Sequence, residues 1–135
     1  MSFSYPDINI VALLAGAVVQ FVIGFAWYSP FLPTGKAWIA QMEIPADAKP
    51  GLEMIGFPIG SILAAWAVAM VYGWSGAVGP MEGALAGLTV AAAVAAQTIT
   101  SGVAHAVRVP PMYAINLGYV VVSYAATGAV IGLLS

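Results

Sequence analysis

The sequence predicts an all-α fold, an integral membrane four-helix bundle, and three observations carry that prediction. The first is the spacing of charge. No Asp, Glu, Lys or Arg occurs between Asp7 and Lys36, between Glu53 and Glu82, between Glu82 and Arg108, or after Arg108. Each gap is filled with Ala, Val, Ile, Leu, Gly and aromatics, and each exceeds the roughly 20 residues that cross a hydrocarbon core of about 30 Å. The second is composition: 135 residues that are 62% hydrophobic and 6% charged. A soluble domain has about a quarter of its residues charged, so here acyl chains must take the place of the polar shell. The third is the recurrence of small residues every four positions within the gaps, which lets helix backbones approach closely in lipid.

The first span is predicted at about Ile8–Tyr28. Asp7 or Asn9 caps it by accepting from the unpaired N–H groups of the first turn. Ser29-Pro30 ends it, because the residue before a proline is driven out of helical backbone. The amino end is not expected to be a cleaved secretory signal: Asp7 stands where a basic stretch is needed, and the apolar run ends in Trp-Tyr-Ser-Pro. Residues 29–54 form the long connection, punctuated by Pro30, Pro33, Pro45 and Pro50. Within it Lys36, Trp38, Ile39 and Met42 suit either a short helix at headgroup level, with the lysine snorkelling, or an irregular loop.

The second span is predicted at about Ile55–Trp74, with Pro58 in its first turn, where a missing N–H leaves nothing unpaired. Ser75 to Pro80 reads Ser-Gly-Ala-Val-Gly-Pro, a turn. The third span is predicted at about Gly83–Val107, with Glu82 at the positive end of the helix dipole and Arg108 at the negative end. Pro110-Pro111 enforces a break, and the fourth span follows at about Met112–Leu134. The whole chain, 1–135, is one four-span domain. Lys36 and Lys49 fall in the first connection and Arg108 in the third. An even number of spans puts both connections on one side, and the positive-inside rule assigns that side to the cytoplasm. Both termini are then expected on the non-cytoplasmic face of a bacterial inner membrane.

Helix association in lipid rests on close packing and polar contacts. Ala12, Gly16, Gln20 and Gly24 share a face of the first span; Ser61, Ala65, Ala69 and Gly73 of the second; Gly83, Gly87, Ala91 and Ala95 of the third; Gly128 and Gly132 of the fourth. Polar residues follow similar steps. Thr89, Gln97, Ser101 and His105 line one row of the third span, and Asn116, Tyr119, Ser123 and Thr127 one face of the fourth. An amide or imidazole in hydrocarbon is expensive, so these rows and Gln20 are expected to turn inward and bond to one another.

Two stretches carry a family resemblance. Trp27-Tyr28-Ser29-Pro30 followed by Gly35-Lys36-Ala37-Trp38, and Ile115-Asn116-Leu117-Gly118-Tyr119, resemble the first-loop signature and the start of the last span of a small bacterial four-span family. That family is catalogued as domain of unknown function seventeen-sixty-one. The family pattern has a phenylalanine directly before the Gly-Lys-Ala-Trp string, where this chain has Pro33-Thr34. It also has an acidic residue after the third span, where this chain has Ala106-Val107-Arg108. The resemblance implies the four-span topology and no activity.

Composition excludes several chemistries. There is no cysteine for disulfides, thiolate metal sites or nucleophiles, and a single histidine rules out a multi-histidine metal cluster. Three basic residues leave no footprint for nucleic acid. The spans carry no acidic or basic group of the kind that proton- or ion-coupled transport uses, and no triad, carboxylate pair or phosphate loop is present. His105, with Ser101 one turn before it, is the candidate ligand for bacteriochlorophyll or haem, since a small residue there lets a flat macrocycle approach. The alternative is an interfacial histidine bonded to its neighbours. Gln20, Gln97, Ser101, Asn116 and Tyr119 are candidates for interhelical bonds or a solute cavity. Trp27, Tyr28, Lys36 and Trp38 are candidate interface anchors or a docking surface for a partner. The expected function is a non-catalytic accessory or structural subunit, surrounded by bound membrane lipid and packed beside larger membrane proteins such as those of a respiratory or photosynthetic complex. A small-solute carrier and a pigment or haem binder are the alternatives.

Overall fold

The computed structural model describes residues 4–42, 51, 53–76, 78–104 and 110–135. These form α1 (Ile10–Trp27), α2 (Pro33–Met42), α3 (Glu53–Ser75), α4 (Pro80–Ala104) and α5 (Pro110–Leu134), with no strand among the described residues. Within α1, α3, α4 and α5 the segments Ile10–Trp27, Ile55–Ser75, Pro80–Thr100 and Tyr113–Leu134 are long and apolar enough to cross a bilayer. The chain is a helical multi-pass membrane protein.

Local chemistry sets the helix ends. Of the two candidate caps for α1, Asn9 does the work. Its side chain accepts from the Ala12 N–H at 3.1 Å, while its amide nitrogen donates to the Leu134 carbonyl at 3.1 Å. The Ser29 hydroxyl donates to the Ala26 carbonyl at 2.8 Å, and the Thr34 hydroxyl to that of Trp27 at 2.7 Å. These two bonds satisfy carbonyls at the end of α1 and fold the chain straight into α2. Of the two readings for the stretch around Lys36, the helix is the one found. Gly35 packs directly on the Ser29 backbone, where a side chain would collide with the carbonyl.

Four helix starts differ from expectation, the first by two residues: α1 begins at Ile10 and not Ile8, with Asn9 as its cap. α3 starts at Glu53, so Pro58 lies inside the helix and removes the bond to the carbonyl of residue 54. α4 starts at Pro80, three residues earlier than predicted, because proline suits a first helical position. The turn before it passes through Gly76 (φ 66°) and Gly79 (φ 101°), backbone that side chains disfavour. Pro110 and Pro111 open α5 instead of preceding it, for the same reason as Pro80. The predicted end of the third span, including His105 and Arg108, lies outside the described residues.

Around the bundle α1 packs on α3, α3 on α4, α4 on α5 and α5 back on α1, with α3 and α5 also touching across it. α5 is the hub, in contact with all four other helices. The tightest seam joins α4 to α5. Gly83 lies against the Gly128 carbonyl and Gly128 against that of Gly83, Gly87 meets the Tyr124 carbonyl, and Gly132 meets that of Gly79. Any side chain there would strike backbone. Beneath the seam, Leu13, Ala17, Ala65, Val68, Ala69, Tyr72, Ala86 and Ile131 form the buried core. The start of α1 and the ends of α3 and α5 meet at one end: Trp74 Nε1 donates to the Ser4 carbonyl at 2.9 Å, and Pro6 covers Gly73.

Candidate functional site

The polar face of α5 lies against α1, and the two run antiparallel with matched steps. Gln20, Gly24 and Tyr28 follow every fourth residue on α1 and its cap; Thr127, Ser123, Tyr119 and Asn116 descend α5 opposite them. Gln20 is 3% exposed, and Ser123 and Thr127 are 0% exposed, so this seam is dry in its upper half. The Thr127 hydroxyl lies 2.8 Å from Gln20 Oε1 and 2.7 Å from the Ser123 carbonyl, two acceptors for one proton. Gln20 Nε2 donates to the Tyr119 hydroxyl at 3.3 Å.

Below this, the seam becomes aromatic. The Tyr28 hydroxyl donates to Asn116 Oδ1 at 2.7 Å. Its ring meets Tyr119 edge-on at 5.3 Å and Trp38 of α2 edge-on at 5.0 Å. Trp27 Nε1 donates to the Ile115 carbonyl at 3.0 Å. Two glycines make room for the rings: a methyl group on Gly118 would touch Trp27, and one on Gly24 would touch Tyr119. The pair of strings singled out in the sequence, Trp27 to Trp38 and Ile115 to Tyr119, thus forms one contact surface that seats α2 against α1 and α5.

The seam contains no carboxylate, ammonium or imidazole. Its groups are hydroxyls, carboxamides and indoles, already bonded to one another; among the described residues no buried side-chain nitrogen or oxygen lacks a partner. Chemically it can position helices and lend donors or acceptors at its wet end, around Tyr28 and Asn116. Of the candidate residues, Gln20, Asn116 and Tyr119 come together here with Trp27, Tyr28 and Trp38. Lys36 stands on the exposed side of α2.

Gln97 does not join them. The polar row of α4 was expected to turn inward, but Thr89 and Gln97 are exposed. For Gln97 the reason is that α3 and α4 part towards the start of α3, whereas Thr89 rims an open groove between the end of α3 and the start of α4. Residues 55–60 are exposed throughout, as are residues 96, 97, 99 and 100, while the glycine seam binds α4 at its other end. His105 lies outside the described residues, as does the side chain of Ser101. The inward roles of Trp27, Tyr28 and Trp38 were missed because Trp and Tyr at a span end read equally well as belt residues. The signal was present in Gly24 and Gly118, which supply space for a ring on each facing helix.

Four bilayer-length helices closed around a neutral polar seam define the class, a helical multi-pass membrane protein. The chain matches the model of the family described as Protein of unknown function (DUF1761) over residues 11–132, and it belongs to that family. No curated protein and no solved structure matches it.

Proposed function

We propose that this protein is a non-catalytic accessory or structural subunit of a bacterial cytoplasmic membrane, packed beside larger membrane proteins such as those of a respiratory or photosynthetic complex. One observation supports this above others: the inward polar groups of the described residues all have partners within the chain. A carrier needs unpaired polar groups facing a path, and Gln20, Tyr119 and Asn116 are instead bonded to Thr127, Gln20 and Tyr28. What the molecule offers to others is its outer surface, which displays Phe25, Phe57, Ile62, Leu63 and Trp66 to the bilayer. In this reading the three basic residues hold the first and third connections in the cytoplasm, with both termini outside.

Native electrophoresis of mildly solubilised membranes, with the chain epitope-tagged, tests the proposal. Co-migration with a larger complex, retained after crosslinking, is the expected result. Migration at the mass of the isolated chain under every extraction condition overturns it. An absorption spectrum of the purified protein separates this reading from a pigment or haem held by His105, which would give visible bands.

A further inference from the structure

A groove of about 180 Å³ runs between the end of α3 and the start of α4, lined by Val71, Ser75, Glu82, Leu85, Ala86 and Thr89. We propose that this groove seats the headgroup and upper acyl chain of a phospholipid bearing a primary amine, of the phosphatidylethanolamine class, with its ammonium on Glu82. The volume is below the roughly 300–1,000 Å³ of sites for drug-sized solutes, and the groove is open along the outside of the bundle, where Glu82, Leu85 and Thr89 are exposed. From Glu82 to Thr89 is seven residues, about 10 Å along the helix. The headgroup layer of one leaflet is about 5–8 Å deep. The groove therefore begins among headgroups at its acidic end and finishes in hydrocarbon, where Val71, Leu85 and Ala86 supply the wall.

Charge selects the occupant. Among the described residues the one lysine, Lys36, lies on α2, at the opposite end of the bundle from Glu82. An ionised carboxylate only accepts hydrogen bonds, and the Ser75 hydroxyl beside it donates to the Tyr72 carbonyl at 2.7 Å. An ammonium with three N–H donors suits that lining; a trimethylammonium has none, and an anionic glycerol headgroup is repelled.

Native mass spectrometry of the full chain in nanodiscs holding equal parts phosphatidylethanolamine, phosphatidylcholine and phosphatidylglycerol, with matched acyl chains, tests this. The wild type is expected to retain the ethanolamine lipid about fivefold over the other two, the strength of a partly solvated ion pair. Successive N-methylation of that lipid should erode the preference stepwise, a readout that needs no variant. Glu82→Gln should reduce it to the level of the choline lipid, and Glu82→Asp should keep most of it. Equal retention of the three lipids by the wild type overturns the proposal, as does undiminished preference in Glu82→Gln. Equal binding of free ethanolamine without acyl chains overturns the lipid assignment.

Discussion

Gln20 sits at mid-membrane, where a carboxamide facing acyl chains would cost several kcal/mol for its unmet bonds. The molecule avoids that cost with two partners from one helix: Thr127 donates to its oxygen and Tyr119 accepts from its nitrogen. Such interhelical bonds average about 0.6 kcal/mol, with a ceiling near 1.7. Gln20→Leu is therefore expected to destabilise the bundle by about 1 kcal/mol in denaturation from mixed micelles, and Tyr119→Phe by less. The double variant should cost less than the sum, since both changes break the same bond. At the wet end, Tyr28→Phe removes the donor to Asn116 but keeps both ring contacts. It should cost less than Tyr28→Ala, which also frees Trp38 and loosens α2. Protease susceptibility of the first connection reads that difference. These residues were partly legible beforehand. The α5 row was visible because hydroxyl and amide residues recur at steps of three and four, and Gln20 because it stands alone among Ala and Gly. Thr89 and Gln97 follow the same kind of row, and the inference failed there. A helical stripe records which residues share a side, and says nothing about what faces it.

At the scale of elements, the α4–α5 seam is the feature on which the bundle most depends. Backbone meets backbone at Gly83 and Gly128, so neither position can accept a side chain without separating two helices that pack along most of their length. Gly128→Ile is expected to cost about 1–3 kcal/mol or more, the range for overpacking in a filled interior. Gly56→Ala and Gly60→Ala should be near neutral, because nothing lies within 4 Å of a methyl group built at either position. Unfolding of the three variants in the same micelles makes the comparison. Gly56 and Gly60 also stand four residues from another small residue, so spacing alone does not separate them from Gly83 and Gly128. The difference between them comes from the parting of α3 and α4, which exposes Gly56 and Gly60 while Gly83 and Gly128 remain pressed together.

For the whole molecule, four crossings place the start of α1, the turn between α3 and α4, and the end of α5 at one end of the bundle. The side-chain bonds of Asn9 to Leu134 and Trp74 to Ser4 hold that end together. The absence of cysteine makes the arrangement testable without background substitution. Single replacements Ser4→Cys, Val78→Cys and Ser135→Cys should react with a membrane-impermeant maleimide from the same side, and Lys36→Cys from the other. If the positive-inside assignment also holds, the first three are labelled from outside intact cells stripped of their outer barrier. Labelling of Ser4→Cys and Ser135→Cys from opposite sides would rule out the four-span topology.

The linear chain by itself determined the number of membrane crossings, their approximate limits, the all-α class and the small-residue faces available for packing. These are one-dimensional properties: hydropathy and charge are read against a fixed bilayer thickness, and proline and glycine mark the interruptions wherever the helices later settle. Only the tertiary structure decided which faces meet. It selected Asn9 over Asp7 as the cap, because only Asn9 also reaches Leu134. It turned the polar row of α5 inward and left that of α4 outside, and it gathered Trp27, Tyr28 and Trp38 onto Asn116 and Tyr119. The physical reason is that burial belongs to pairs of surfaces, and a pair exists only once two helices distant in the chain have taken up one register.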